Sequence, residues 1–146
     1  MRGLVLAAFL LGSAGVAAEL LLVGHTENFW QWSPLALIGI SFPLALCMRG
    51  RPCRRALVCL RFFQALMFLF MASGLVGLFL HYEGKVEFKR ESDPSLAGWP
   101  LFREAMKAAM PPALAPAAMI QFGLLGLAYA YRHPASSPTT EITNKP

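Results

Sequence analysis

The stretch ALVCLRFFQALMFLFMASGLVGLFL, residues 56–80, contains one charged residue, Arg61, in an otherwise largely apolar run. A helix needs about 20 apolar residues to cross the hydrocarbon core of a bilayer, because that core is about 30 Å thick and each residue rises 1.5 Å. Arg61 lies close enough to the start of the run for its guanidinium to reach the interface. Residues 56–80 are therefore predicted to form a membrane-spanning helix.

Three further apolar segments have a similar length. Glu19 is the one charged residue among them, and the aromatic Trp30 and Tyr131 lie at segment ends, where interfacial residues are expected. The sequence thus predicts an all-α membrane protein in which one domain, residues 1–132, has four transmembrane helices and a small extracytoplasmic cap. The four helices are expected at about residues 4–23, 30–48, 56–80 and 113–131, with the cap at 81–112.

The composition agrees with a membrane protein. Of 146 residues, 56% are hydrophobic and only 14% are charged, and the mean hydropathy is +0.51. Soluble domains carry about 25% charged residues, so lipid must cover much of this surface. The net charge of +5 could indicate nucleic acid, but five arginines cluster within residues 49–61, between apolar segments. That pattern is typical of a cytoplasmic loop, so the lipid bilayer is the expected partner and nucleic acid is not.

The basic residues also predict an orientation. If all four segments span, the same side receives Arg2, the cluster in residues 49–55 and Arg132. Positively charged loops remain in the cytoplasm, so both termini are expected there, at a bacterial cytoplasmic (inner) membrane. Residues 133–146, rich in Pro, Ser and Thr, are expected to be a disordered cytoplasmic tail.

The N-terminus leaves an alternative open. A basic residue, an apolar run and Val16-Ala17-Ala18 resemble the three regions of a secretory signal, so residues 1–18 could be cleaved. Cleavage would leave three helices in the same orientation, whereas the apolar residues 20–23 favour a retained helix.

The outer connection, residues 81–112, carries most of the remaining polar residues. Residues 82–91 alternate weakly between apolar and polar, which predicts an extended segment. A turn is expected at Asp93-Pro94. Residues 99–110 then have helical spacing, which predicts a short amphipathic helix in the membrane interface. Its apolar positions are Trp99, Phe102, Met106 and Met110.

Three cysteines lie around the basic cluster, at positions 47, 53 and 59. Because the cytoplasm keeps thiols reduced, the predicted orientation indicates free thiols and no structural disulfide. The loop alone lacks the histidine that would complete a four-ligand zinc site.

Glu19 is the main candidate for a functional side chain, because a carboxylate inside a membrane helix is costly unless it is paired, protonated or in contact with water. It could carry a proton or cation, or it could be a structural residue, with Ser41 as the nearest polar neighbour in depth. A second candidate group lies at the outer ends of the first and third helices, where it could bind a metal if those helices are neighbours. This group consists of His25, Glu27, His81 and Glu83.

Small residues on three of the helices predict close helix packing, either within one bundle or between copies. The chain has no common catalytic motif, so it leans away from an enzyme, and no cofactor is expected. The first hypothesis is a non-enzymatic accessory or scaffold subunit that associates with another membrane protein. The alternative is a small proton- or metal-ion-linked transporter using Glu19 and the outer His and Glu residues; a membrane enzyme is a third reading.

Overall fold

A computed structural model of the chain describes residues 1–24, 26–48, 54–107 and 116–136. Over these residues the chain contains five α-helices and one 3₁₀ turn, and no strand. The helices are α1 Arg2–Leu22, α2 Phe29–Cys47, α3 Arg54–Ser92, α4 Gly98–Lys107 and α5 Ala117–Ala130, and the 3₁₀ turn is Pro134–Ser136.

Three of the helices, α1, α2 and α3, are long and apolar enough to cross a membrane. These match the first three predicted segments. The fourth predicted segment contains α5, which is apolar but has 14 residues. At 1.5 Å per residue α5 is about 21 Å long, which is shorter than the hydrocarbon core. Residues 113–115, the start of that predicted segment, lie outside the described residues.

The helices pack as a bundle around α3, which lies against α2, α4 and α5, while α1 contacts α2 and α5. Phenylalanines join the helices at the centre. The Phe9 ring centroid lies 5.7 Å from that of Phe63 and 6.4 Å from that of Phe122, both edge to face. The Phe63 ring is 6.0 Å from that of Tyr129. These contacts place the starts of α1 and α3 and the end of α5 at one end of the bundle.

Glycines allow α3 and α5 to approach closely. A Cβ added at Gly123 would lie 2.8 Å from the backbone oxygen of Met67, and one at Gly74 would lie 3.0 Å from that of Pro116. Gly12 of α1 likewise faces the ring of Phe122. Part of the small-residue pattern therefore serves packing inside the bundle.

Residues 82–91 are helical, so the predicted extended segment is wrong. They continue α3 without interruption to Ser92. Extending an existing helix avoids the unfavourable nucleation step, and the Glu, Lys and Arg residues here favour helix. The alternation of Tyr82, Val86 and Phe88 is too short to overcome this, and Phe88 is largely exposed.

The short helix predicted at residues 99–110 is present as α4, but a different face of it is buried. Leu101 and Ala105 are buried as α4 packs against α3, whereas Trp99 remains 70% exposed. The predicted apolar face, with Trp99, Phe102 and Met106 exposed, is thus separate from the face that packs on α3, and its docking on the membrane interface stays a prediction. Phe102 lies on the border, with its ring 5.8 Å from that of Tyr82. Met110 is outside the described residues.

Cys47 and Cys59 form a disulfide, which corrects the expectation of free thiols. The antiparallel pairing of α2 and α3 brings the end of one helix beside the second turn of the other, with the two Cα atoms 6.3 Å apart. Sequence spacing alone does not reveal this proximity. Cys53 lies outside the described residues.

Candidate functional site

Glu19 lies on the outer side of α1, away from the bundle interior. Its side chain is exposed, and it has no hydrogen bond or ion pair with any residue that the structure describes. Ser41, the predicted neighbour in depth, is buried and donates its hydroxyl hydrogen to the backbone oxygen of Ile38, 2.7 Å away. The bundle therefore leaves the Glu19 carboxylate facing the space beside α1.

The same side of α1 carries a regular series of exposed residues. They recur at alternating intervals of four and three, the spacing of one helical face that packs on another helix. The opposite side carries the buried Leu6, Phe9 and Ser13. We call the exposed series the α1 surface; it consists of Leu4, Ala8, Leu11, Gly15, Ala18 and Leu22, with Glu19 at its edge.

The centre of the α1 surface is open. A Cβ added at Gly15 would meet no atom within 4 Å, in contrast to Gly12 one turn earlier. Leu11 and Leu22 are 76% and 86% exposed. Small residues between exposed leucines form a shallow surface that another helix can approach closely.

Three of the four predicted metal-binding residues are in the described part of the chain: Glu27 precedes α2, and His81 and Glu83 are in α3. Glu27 is exposed, and its backbone N–H donates to Gln31 Oε1 at 2.6 Å. His81 is half-buried on α3, and Glu83 is exposed. His25 lies outside the described residues. Across residues 1–24, 26–48, 54–107 and 116–136, no three His, Cys, Asp or Glu side chains are grouped to hold a metal ion.

Lys85 is buried, although the sequence predicts a polar residue of the outer connection at this position. Its side chain is 2% exposed, and no buried side-chain N or O atom in the described residues lacks a hydrogen-bond partner. The burial of Lys85 can be predicted only when α3 is treated as one continuous helix. The side of α3 that buries Phe63, Met67, Phe70 and Gly74 then continues to Lys85.

The opposite end of the bundle is basic. The guanidinium of Arg2 donates to the backbone oxygens of Tyr131 and Arg132, at 3.0 and 2.7 Å. Arg54 and Arg55 begin α3 at this same end. Arg2 thereby provides donors for the carbonyls of the two residues that follow α5 and ties the start of α1 to them.

The first residues of the predicted tail pack against this end, where Pro134–Ser136 form the 3₁₀ turn beside α3. His133 is 6% exposed; its Nε2 lies 3.3 Å from the Tyr129 hydroxyl, and its Nδ1 accepts the backbone N–H of Ala135. Burial, and secondarily the charge of Arg2, lowers the pKa of His133. The apolar Ala135 is also buried in the core, and this burial holds the first residues of the Pro- and Ser-rich segment against the bundle.

A groove lies between α4 and the last part of α3, with a volume of about 830 Å³. Tyr82, Val86 and Leu101 provide apolar lining, and the side chains of Glu83 and Glu87 are at its edge. Because it depends on α3 continuing past residue 80, the sequence prediction of an extended segment could not reveal it.

Comparison with known proteins adds no relative: no family matches the chain, and neither a curated protein nor a solved structure is similar to it.

Proposed function

We propose that this chain is an accessory or scaffold subunit that binds another membrane protein through the α1 surface. The observation that carries this proposal is the combination of small residues and an unpaired carboxylate, Glu19, on a face of α1 that the bundle leaves uncovered.

The composition of the α1 surface differs from that of the outward face of α3. A helix face in contact only with lipid tolerates large apolar side chains, and α3 exposes Phe62, Phe68 and Leu75 in this way. Ala8, Gly15 and Ala18 instead permit the backbone of a second helix to approach, which strengthens van der Waals packing in a membrane.

Glu19 indicates which kind of side chain the partner helix should carry. An ionised carboxylate facing lipid is unfavourable, so a basic or hydrogen-bond-donating side chain at the same depth on the partner helix would stabilise it. Two parallel copies packed through the α1 surface would place both Glu19 carboxylates at one depth, where like charges repel. We therefore favour a different membrane protein as the partner over a homo-oligomer.

The proposed topology has four transmembrane segments, with α5 and the residues before it as the fourth, and residues 81–112 as an extracytoplasmic cap. Both termini are cytoplasmic, at a bacterial inner membrane. The shared location of Arg2, Arg54, Arg55 and Arg132 at one end of the bundle supports this orientation under the positive-inside rule.

The transporter alternative has less support. Ser13 and Ser41 are the buried polar residues of α1 and α2, and each hydroxyl donates to a carbonyl of its own helix. Glu19 faces away from them. A path for a proton or cation through the interior would need polar groups that face one another.

Co-purification in a mild detergent tests the proposal, with two glycine variants as a matched pair. Gly15→Leu adds bulk to the α1 surface where a Cβ meets no neighbour, and Gly39→Leu does the same on the exposed side of α2. We expect a stoichiometric partner with the unmodified chain, loss of most of it with Gly15→Leu, and retention with Gly39→Leu. Equal retention by both variants, or purification of the chain as a homo-oligomer alone, would contradict the proposal.

Substitutions of Glu19 separate a structural role from charge cycling. Glu19→Gln keeps a hydrogen-bonding group and should weaken partner binding only a few-fold, since interhelical hydrogen bonds in membranes contribute about 0.6 to 2 kcal/mol. Glu19→Lys should weaken it far more, because a basic partner then faces a like charge. Glu27→Gln, outside the α1 surface, is the control. A Gln variant that assembles normally but loses a transport activity would favour the transporter instead.

A further inference from the structure

The groove between α3 and α4 is elongated along α3. Its lining runs from Phe79 to Glu91, which spans about 18 Å at 1.5 Å per residue. Leu101 is 4% exposed, and Tyr82 and Val86 are half-buried, so the deeper part of the groove is apolar. The groove begins where the apolar part of α3 ends.

Acidic residues follow one edge of the groove. Glu83, Glu87 and Glu91 are exposed and recur every four residues, about 6 Å apart along the helix. None of them forms an ion pair among residues 54–107; the pairs found there involve Glu104. The groove lining has one basic residue, Arg90, while Lys85 is buried and Lys89 is close enough to α4 to act on Glu104.

The three carboxylates at the groove edge interact unfavourably with one another. Like charges four residues apart on a helix repel one another. The C-terminal end of a helix also carries partial negative charge, which disfavours Glu91 in the last turn and favours Lys89 and Arg90 beside it. A cationic molecule in the groove would relieve both effects, and this chain places three carboxylates beside an apolar surface that can hold its apolar part.

We propose that the groove binds a basic amphipathic helical segment of a partner protein. Lys or Arg residues four apart on that segment would face Glu83, Glu87 and Glu91, and its apolar side would pack on Tyr82, Val86 and Leu101. The matching interval and the 18 Å length favour a segment over a small organic cation, which would engage one or two carboxylates. This site lies on a different surface from α1 and does not depend on the function proposed above.

Binding of a labelled peptide to the purified chain in a neutral detergent tests the inference. The probe is a helical peptide of about 12 residues, which matches the groove length, with lysines four apart on one side and leucines and alanines on the other. We expect saturable binding that weakens with salt, and carbodiimide cross-links from peptide lysines to Glu87. A variant with Glu83, Glu87 and Glu91 all changed to Gln should bind about tenfold more weakly.

Controls separate the groove from other acidic surfaces and from the detergent. Glu27→Gln should leave peptide affinity unchanged, and a peptide with glutamates in place of the lysines should not bind. Leu101→Lys, which places a positive charge in the groove, should reduce binding by an independent route. Undiminished binding to the triple Gln variant, or equal protection of Glu87 by a quaternary alkylammonium ion, would overturn the proposal. Because no Gly15 or Glu19 variant is used, failure here leaves the α1 proposal standing.

Discussion

His133 is a buried side chain held between the end of α5 and the start of α1. Its ring packs edge to face on Tyr129, with centroids 5.3 Å apart, and the positive Arg2 and Arg132 lie at the same end. Burial lowers its pKa, and Arg2 lowers it further. The neutral ring is therefore the form that fits this site, since a proton on Nδ1 would also remove the acceptor for the Ala135 N–H.

The lowered pKa of His133 predicts a pH dependence of stability. An unfolded histidine titrates near pH 6.5, and the folded pKa lies below that value. Between the two pKa values the unfolded chain binds more protons, so this contribution is fully present above about pH 6.5 and is lost as pH falls through the folded pKa. Thermal unfolding in detergent should show a lower Tm at about pH 5 than at about pH 8.

His133→Asn should reduce this pH dependence, because Asn can accept the Ala135 N–H without titrating in this range. His81→Asn, at the other end of α3, is the matched control and should leave most of the dependence in place. An unchanged pH profile for His133→Asn would show that other groups cause the effect.

Gly84 tests whether α3 is continuous through residues 82–91. In a helix, Gly→Ala stabilises by roughly 0.5–1 kcal/mol, and a Cβ at Gly84 meets no neighbour. Gly84→Ala should therefore slow hydrogen exchange across residues 82–92. In an extended segment Ala would bring no comparable gain, so faster or unchanged exchange would contradict the helix.

Gly98 provides the contrasting case at the start of α4. Its φ is +58°, a left-handed conformation that costs residues with a Cβ about 1–2 kcal/mol. Gly98→Ala should speed exchange in α4, the opposite sign from Gly84→Ala. Similar effects of the two alanines would show that backbone conformation does not determine them.

At the level of elements, the apolar segments were predictable because length and hydropathy report directly on a spanning helix. The first three helices begin within two residues of the positions expected from the sequence. The end of α3 was not predictable in the same way. Residues 82–91 show a weak two-residue alternation, but they extend an existing helix and so need no new nucleation step. Leu101, rather than Trp99, faces α3 because α4 folds back on that extension.

The two candidate surfaces also differ in how far the sequence predicts them. Glu19 was visible as a lone acid, but its outward direction depends on which side of α1 meets α2 and α5. The acidic edge of Glu83, Glu87 and Glu91 appears only once these residues are helical. Sequence patterns reveal residue types and spacing, whereas the packing of one helix on another determines which of those residues remain available for a partner.

For the molecule as a whole, two features of the basic end disagree about its compartment. The arginines favour a cytoplasmic location for this end, whereas a disulfide such as Cys47–Cys59 is typical of oxidising compartments. We give the arginines more weight, because several residues on different helices act together on orientation. The redox state of adjacent cysteines follows the compartment, so the disulfide is the feature of this end that favours an oxidising location.

Site-specific labelling decides the orientation. In a background with Cys47, Cys53 and Cys59 changed to Ala, Ser92→Cys at the end of α3 and Ser136→Cys after the 3₁₀ turn place single exposed thiols at opposite ends of the bundle. With the basic end cytoplasmic, a membrane-impermeant maleimide added to intact cells with a permeabilised outer membrane should label position 92, and should label position 136 only after lysis. The reverse pattern would place Arg2, Arg54 and Arg132 outside, and would make an oxidised Cys47–Cys59 pair the expected state in cells. Labelling of both positions in intact cells would mean that α3 and α5 do not connect opposite sides of the membrane, and the four-span topology would fail.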